Sequence, residues 1–146
     1  MWYNQTRNDK GGANVMLENF KPLQIVKGTA FMSVSNNGIG FNKNVVIKMN
    51  KPEIVRLMIN EEQSQFAIQA TTDNDDSTIN FFNENIDIRN GIRTHNRDLE
   101  NTLAQLMDWD LESYVYRVDG LYLEKENAML FDLKTARRFQ KRTRAK

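Results

Sequence analysis

The chain has 146 residues, 40% of them hydrophobic, with no cysteine, one histidine and a net charge of +1. That is one domain's length, enough to enclose a real core. The lack of cysteine excludes disulfide scaffolds, thiolate metal sites and cysteine nucleophiles and fits a cytoplasmic protein, and no apolar run reaches the roughly 18 residues a membrane helix needs.

Residues 1–15 (MWYNQTRNDKGGANV) are polar and lack periodicity. Lys10-Gly11-Gly12 can be encoded by a purine-rich ribosome-binding sequence, with Met16 at a start codon's distance. Residues 1–15 are therefore expected to be translated leader, or else a poorly ordered N-terminus.

Leu23, Ile25 and Val26 can begin a strand before Gly28. Phe31–Ser35 alternates at period two, as a half-buried strand does. Asn36-Asn37-Gly38 is a turn signal, because Asn and Gly tolerate positive φ, and Ile39 and Phe41 resume the alternation. Asn42 is placed to cap a short helix over Lys43–Met49, with Val45, Val46 and Met49 on its apolar face. Pro52 prevents continuation. Glu53–Asn60 and Gln65–Ala70 make a hairpin around the turn Glu61–Ser64.

Thr71–Thr78 reads as a polar, acidic loop, Ile79–Phe82 as a short apolar island and Asn83–Thr94 as loop. Asn96 caps a second helix running to about Met107, with Leu99, Leu103, Leu106 and Met107 on one face. Ser113–Val118 is read as a strand, Asp119-Gly120 as a turn, Leu121–Leu123 as a strand end and Ala128–Leu133 as a central strand. The tail beyond is expected to be helical or loose. Trp109, Tyr114, Tyr116 and Tyr122 are assigned to the core of this second β region, or to a protein interface if exposed.

Charge is segregated along the chain. Lys134, Arg137, Arg138, Lys141, Arg142, Arg144 and Lys146 fall within the last 13 residues with no acid among them, leaving 13 basic against 19 acidic residues, a net of −6, in residues 1–133. Such a tail can neutralise several phosphates and give salt-sensitive, sequence-blind nucleic-acid binding. Its alternative is a solvated tail, or one folded against the acidic body.

Other chemistry is sparse. Asp73, Asp75, Ser77 and Glu84 have the spacing of a calcium loop, but Thr78 stands where the turn glycine is required, so an acidic surface loop is expected. His95 has no cysteine to share a structural zinc site with. No nucleophile triad, phosphate-binding glycine loop or dinucleotide fingerprint is present. Neither enzymatic activity nor a cofactor or metal is expected.

The order of elements in Phe31–Ala70 resembles the AbrB-like, swapped-hairpin family of bacterial transition-state regulators and antitoxins. The resemblance rests on Ser33–Gly38, Phe41-Asn42-Lys43, Val55–Asn60 and Phe66–Gln69, about 40 residues. It implies a barrel-like, DNA-binding homodimer of interlocked chains. The arginines this family usually carries after the turn glycine and in the helix are Ile39 and Val46 here. Lys43, Lys48, Lys51 and Arg56 remain as phosphate contacts.

The expectation is thus an α+β protein. A leader occupies 1–15, and an AbrB-like module with a small mixed β-sheet or barrel occupies 16–72. A helix and second antiparallel β region occupy 73–133, and a basic tail 134–146. The expected function is non-enzymatic DNA binding of a bacterial or phage transcription-regulator type, through the four module cations together with Lys134, Arg137, Arg138, Lys141, Arg142 and Arg144. The alternative partner is a host protein: a phage-borne inhibitor of a host nucleic-acid enzyme, which its acidic body would suit.

Overall fold

Strand alternation organises the protein. The computed structural model describes residues 17–20 and 28–141. The residues read as leader, the strand expected around Leu23–Val26, and Arg142, Arg144 and Lys146 lie outside them.

The elements follow in order. Strands β1 (Phe31–Ser35) and β2 (Gly38–Phe41) form the first hairpin, followed by helix α1 (Lys43–Lys48). Strands β3 (Ile54–Asn60) and β4 (Gln65–Ala70) form the second hairpin, with β5 (Thr78–Asn80) beyond. A 3₁₀ turn (Ile88–Asn90) and β6 (Ile92–Thr94) precede helix α2 (Arg97–Met107). Strands β7 (Tyr114–Leu123) and β8 (Ala128–Asp132), a 3₁₀ turn (Leu133–Thr135) and β9 (Arg137–Gln140) complete the set.

All nine strands join one sheet, in the order β5-β3-β4-β8-β7-β1-β2-β6, with β9 also on β7. Every pairing is antiparallel. The sheet curls into a half-barrel around its own core. Strand β7 joins the two halves. Its first part pairs with β1 and β9, and its last part with β8. Strands from before and after Thr72 are interleaved, since β7 and β8 separate the first hairpin from the second.

This corrects the α+β expectation. Among the described residues 40% are in strands and 19% are helical, and only α2, at 11 residues, is a helix of ordinary length. Three strands lie in segments that carry little alternation of their own. Strands β5 and β6 have three residues each and β9 has four. They exist because a partner from elsewhere in the chain satisfies their backbone groups, as tertiary context does for short edge strands. Thus Asn83–Thr94 is not all loop, and the tail forms a strand, Arg137–Gln140, just past the 3₁₀ turn.

The Asp119-Gly120 turn is also corrected, because β7 runs straight through it. A Cβ on Gly120 would sit 2.8 Å from Met129 Cγ and Sδ and 2.9 Å from Phe131 Cε1. The glycine is there to let β8 approach, a usual meaning of glycine inside a strand.

The inward-facing positions build the core. Met32, Val34, Ile39, Phe41, Val118, Phe66, Ile68, Met129 and Phe131 are all essentially inaccessible. Phe131 lies between the halves, 6.0 Å from the Phe41 ring and 6.2 Å from Phe66. Helix α1 contributes Val45, Val46 and Met49, and α2 contributes Leu103. Both helices start as the sequence indicates. Asn42 Oδ1 accepts from Val45 N at 3.3 Å and Asn96 Oδ1 from Leu99 N at 3.0 Å. Trp109 stacks on the buried Tyr116 with centroids 4.6 Å apart, while Tyr122 packs on the core.

Candidate nucleic-acid interface

The expected phosphate-binding cations do not form one site. Arg56 is held by Asp73 at 3.0 Å and Asp75 at 2.9 Å, so the carboxylates of the calcium-like spacing serve an arginine. Asp75 lies below its usual pKa because the Ser77 backbone N–H and hydroxyl bond it, with Arg56 assisting. Among the described residues no group of three His, Cys, Asp or Glu could hold a metal. Lys43 and Lys48 are exposed on α1. Lys51, just beyond α1, lies 5.8 Å above the Phe82 ring. Lys134 pairs with Asp132 at 3.0 Å and donates to Gln63 O. Lys141 donates to Asn36 Oδ1. Arg138 covers the Tyr114 ring at 4.2 Å.

Arg137 is different, because β9 places it in a row that crosses the sheet. Arg93 on β6 is opposite Gly40 on β2, Gly40 is opposite Ser33 on β1, Ser33 is opposite Arg117 on β7, and Arg117 is opposite Arg137. Directly opposed residues share a face. The neighbours of this row along their strands (Met32, Val34, Ile39, Phe41, Val118) point into the core. The row therefore lies on the outer face. Side chains separated by two residues from its members, Phe31 and Phe139, lie on the same face.

Local structure fixes each member. Asn42 Oδ1 accepts from Phe31 N at 3.0 Å and Asn42 Nδ2 donates to Thr29 O at 2.8 Å, tying the start of β1 to the cap of α1. Gly91, with φ of 76°, lets the chain enter β6; a Cβ there would meet Phe41 O at 2.2 Å. On the bare Gly40, a Cβ would lie 3.2 Å from Ser33 Oγ and 3.4 Å from Arg93 Nη2, so both groups rest against this glycine.

Arg117 sits between Ser33 and Arg137, its guanidinium 4.1 Å from the Phe31 centroid and 5.1 Å from Phe139. Two rings against one cation make a favourable contact. Its Nε is buried with no hydrogen-bond partner among the described residues. Arg137 pairs with Asp119 at 3.0 Å, with both side chains half exposed, so the pair contributes little and exchanges readily with other anions. Arg93 has no ion-pair partner among the described residues.

A hollow of about 280 Å³ opens at one end of the row. Phe31, Ser33, Gly40 and Arg93 line it together with Lys43 and Arg89. Arg89 is bound by Asp87 at 2.7 Å and holds that carboxyl below its usual pKa range, chiefly through its side-chain bond. Lys43 and Arg93 thus carry the uncompensated charge of the hollow among the described residues.

Reading from sequence missed Arg93, Arg117 and Phe31, and took Phe139 for a lone stacking group in the tail. A strand carrying Arg117 between the inward Tyr116 and Val118 was the available signal, but its partner strands are remote in sequence. Charge density favoured Arg142 and Arg144, which lie outside the described residues.

The other half of the sheet has a contrasting outer face. Met58, Ala67, Leu130 and Leu121 form one row across β3, β4, β8 and β7. Leu121 is 60% exposed and Met58 39%. No described helix is long and apolar enough to cross a membrane. No family model, curated protein or solved structure matches the chain.

Proposed function

We propose that this is a small, non-enzymatic nucleic-acid-binding protein, of the regulatory kind that the swapped-hairpin resemblance implies. The observation that carries the reading is the row Arg93–Ser33–Arg117–Arg137, with Phe31 and Phe139 on the same face. Cations along one row can contact a phosphate backbone, and aromatic rings among them supply contacts to bases. The basic tail adds long-range attraction to an otherwise acidic body.

A second reading is supported by the apolar Met58–Ala67–Leu130–Leu121 row, exposed at its two ends. Such a face suits a protein partner, as in the inhibitor of a nucleic-acid enzyme.

Titration of a labelled oligonucleotide separates sheet from helix as the binding element. Arg93→Ala with Arg137→Ala is expected to weaken binding tenfold or more, by about 1.4 kcal/mol or more. It should also lower the slope of log K against log salt by roughly 1.4–1.8. Lys48→Ala with Lys51→Ala should change both little. The reverse result would move the interface to α1, and a wild-type chain that ignores nucleic acid at low salt would end the reading.

A further inference from the structure

Resting on the nucleic-acid reading, we propose that the ligand is single-stranded. Its bases stack at Phe139 and beside the Phe31–Arg117 pair, and one backbone phosphate enters the hollow between Lys43 and Arg93.

Geometry disfavours a duplex groove as the target. Five strands, β6, β2, β1, β7 and β9, carry this face. At about 4.8 Å per strand step the row spans roughly 19 Å. The major groove is only about 12 Å wide and admits a helix or a two-stranded ribbon, not a five-stranded face.

The residue types point the same way. Phe139 is 44% exposed on a strand whose four residues are all open to solvent. An exposed phenylalanine beside arginines offers little to a phosphate but can cover the face of a base. Base faces are available only when unpaired, and aromatic rings and guanidinium planes are the usual platforms for them. Arg117 already lies against Phe31 and Phe139, so its plane is oriented by them before any ligand arrives. From Phe31 towards β6 the outward positions are small, Ser33 on β1 and Gly40 on β2 with the Arg93 guanidinium resting against it, which leaves a low track for the backbone leading to Arg93.

The hollow completes the track. It adjoins Phe31 and Arg93, and it is lined by no acidic side chain. Asp87 engages Arg89, while Lys43 and Arg93 remain without an acidic partner among the described residues. A phosphate there would meet two cations and the Ser33 hydroxyl.

The test uses the full chain and labelled oligonucleotides of about twelve nucleotides, a length within the range bound by sheet platforms. One mixed sequence is offered as single strand and as duplex. The single strand is expected to bind at least tenfold more tightly. Phe139→Ala should weaken it by about fivefold to a hundredfold, the loss associated with one stacked base, while Phe139→Tyr retains binding. Melting of both variants, followed by circular dichroism, checks that β9 persists. Equal or tighter duplex binding overturns the single-strand inference but leaves the nucleic-acid reading standing. A single-strand preference indifferent to Phe139→Ala overturns the stacking platform. Binding of neither form removes both.

Discussion

The two outer faces of this sheet are built by the same alternation and carry opposite chemistry. Across β6, β2, β1, β7 and β9 the outward row is Arg93, Gly40, Ser33, Arg117 and Arg137. Across β3, β4, β8 and β7 it is Met58, Ala67, Leu130 and Leu121. Both cover one continuous core, so burial does not explain the difference. What differs is what each face can meet: the first offers cations and rings to a charged polymer, and the second offers apolar surface. Packing fixes the inward residues of each strand, so a difference in what the two halves can bind resides in the outward ones.

The largest expected effect breaks both faces together. Phe131→Ala removes a fully buried ring that touches Phe41 and Phe66. A loss of about 3–5 kcal/mol is expected, read by denaturant unfolding, with oligonucleotide binding lost in proportion to unfolding. Gly120→Val should cost about 1–3 kcal/mol through overpacking against Met129 and Phe131. A neutral result would show that β7 and β8 separate easily. Sharpening the comparison, Leu121→Ser with Met58→Ser should leave stability within about 0.5 kcal/mol per site and oligonucleotide affinity unchanged. A drop in affinity would place the second face in the interface.

The smallest effect is electrostatic. Asp75 and Asp132 are depressed below the ordinary carboxylate value, by bonds from Ser77 and from Lys134 respectively. Each binds protons less readily when folded, so its contribution is present above the unfolded pKa. It is lost as pH falls through the lower, folded value. Unfolding midpoints should therefore be flat near neutrality and decline only below about pH 4. A decline starting near pH 6 would contradict the assignment.

Much of the local structure was legible in sequence, and little of its assembly. Period-two alternation marks β1, β2 and β4, and Asn42 and Asn96 announce α1 and α2. Asn42 also ties Phe31 to the helix cap, a contact 11 residues away in sequence that no capping rule foretells. The α+β expectation failed because β5, β6 and β9 are too short to show a period and depend on distant partners. Asp119-Gly120 misled because glycine answers two needs, a turn and a close approach, and only the position of Phe131 decides between them. The candidate site was the least legible part. Arg93, Ser33, Arg117 and Arg137 come from four separated segments, and only the sheet register makes them neighbours. Charge density along the chain could identify Arg137 but not the row it completes.

The most direct test maps backbone amide shifts of the isotope-labelled full chain as a single-stranded oligonucleotide is added. The account predicts perturbations at Ser33, Gly40, Arg93, Arg117, Arg137 and Phe139, with Met58, Ala67, Leu121 and Leu130 unmoved. Shifts concentrated on the Met58–Leu121 row, or confined to residues 142–146, would contradict it.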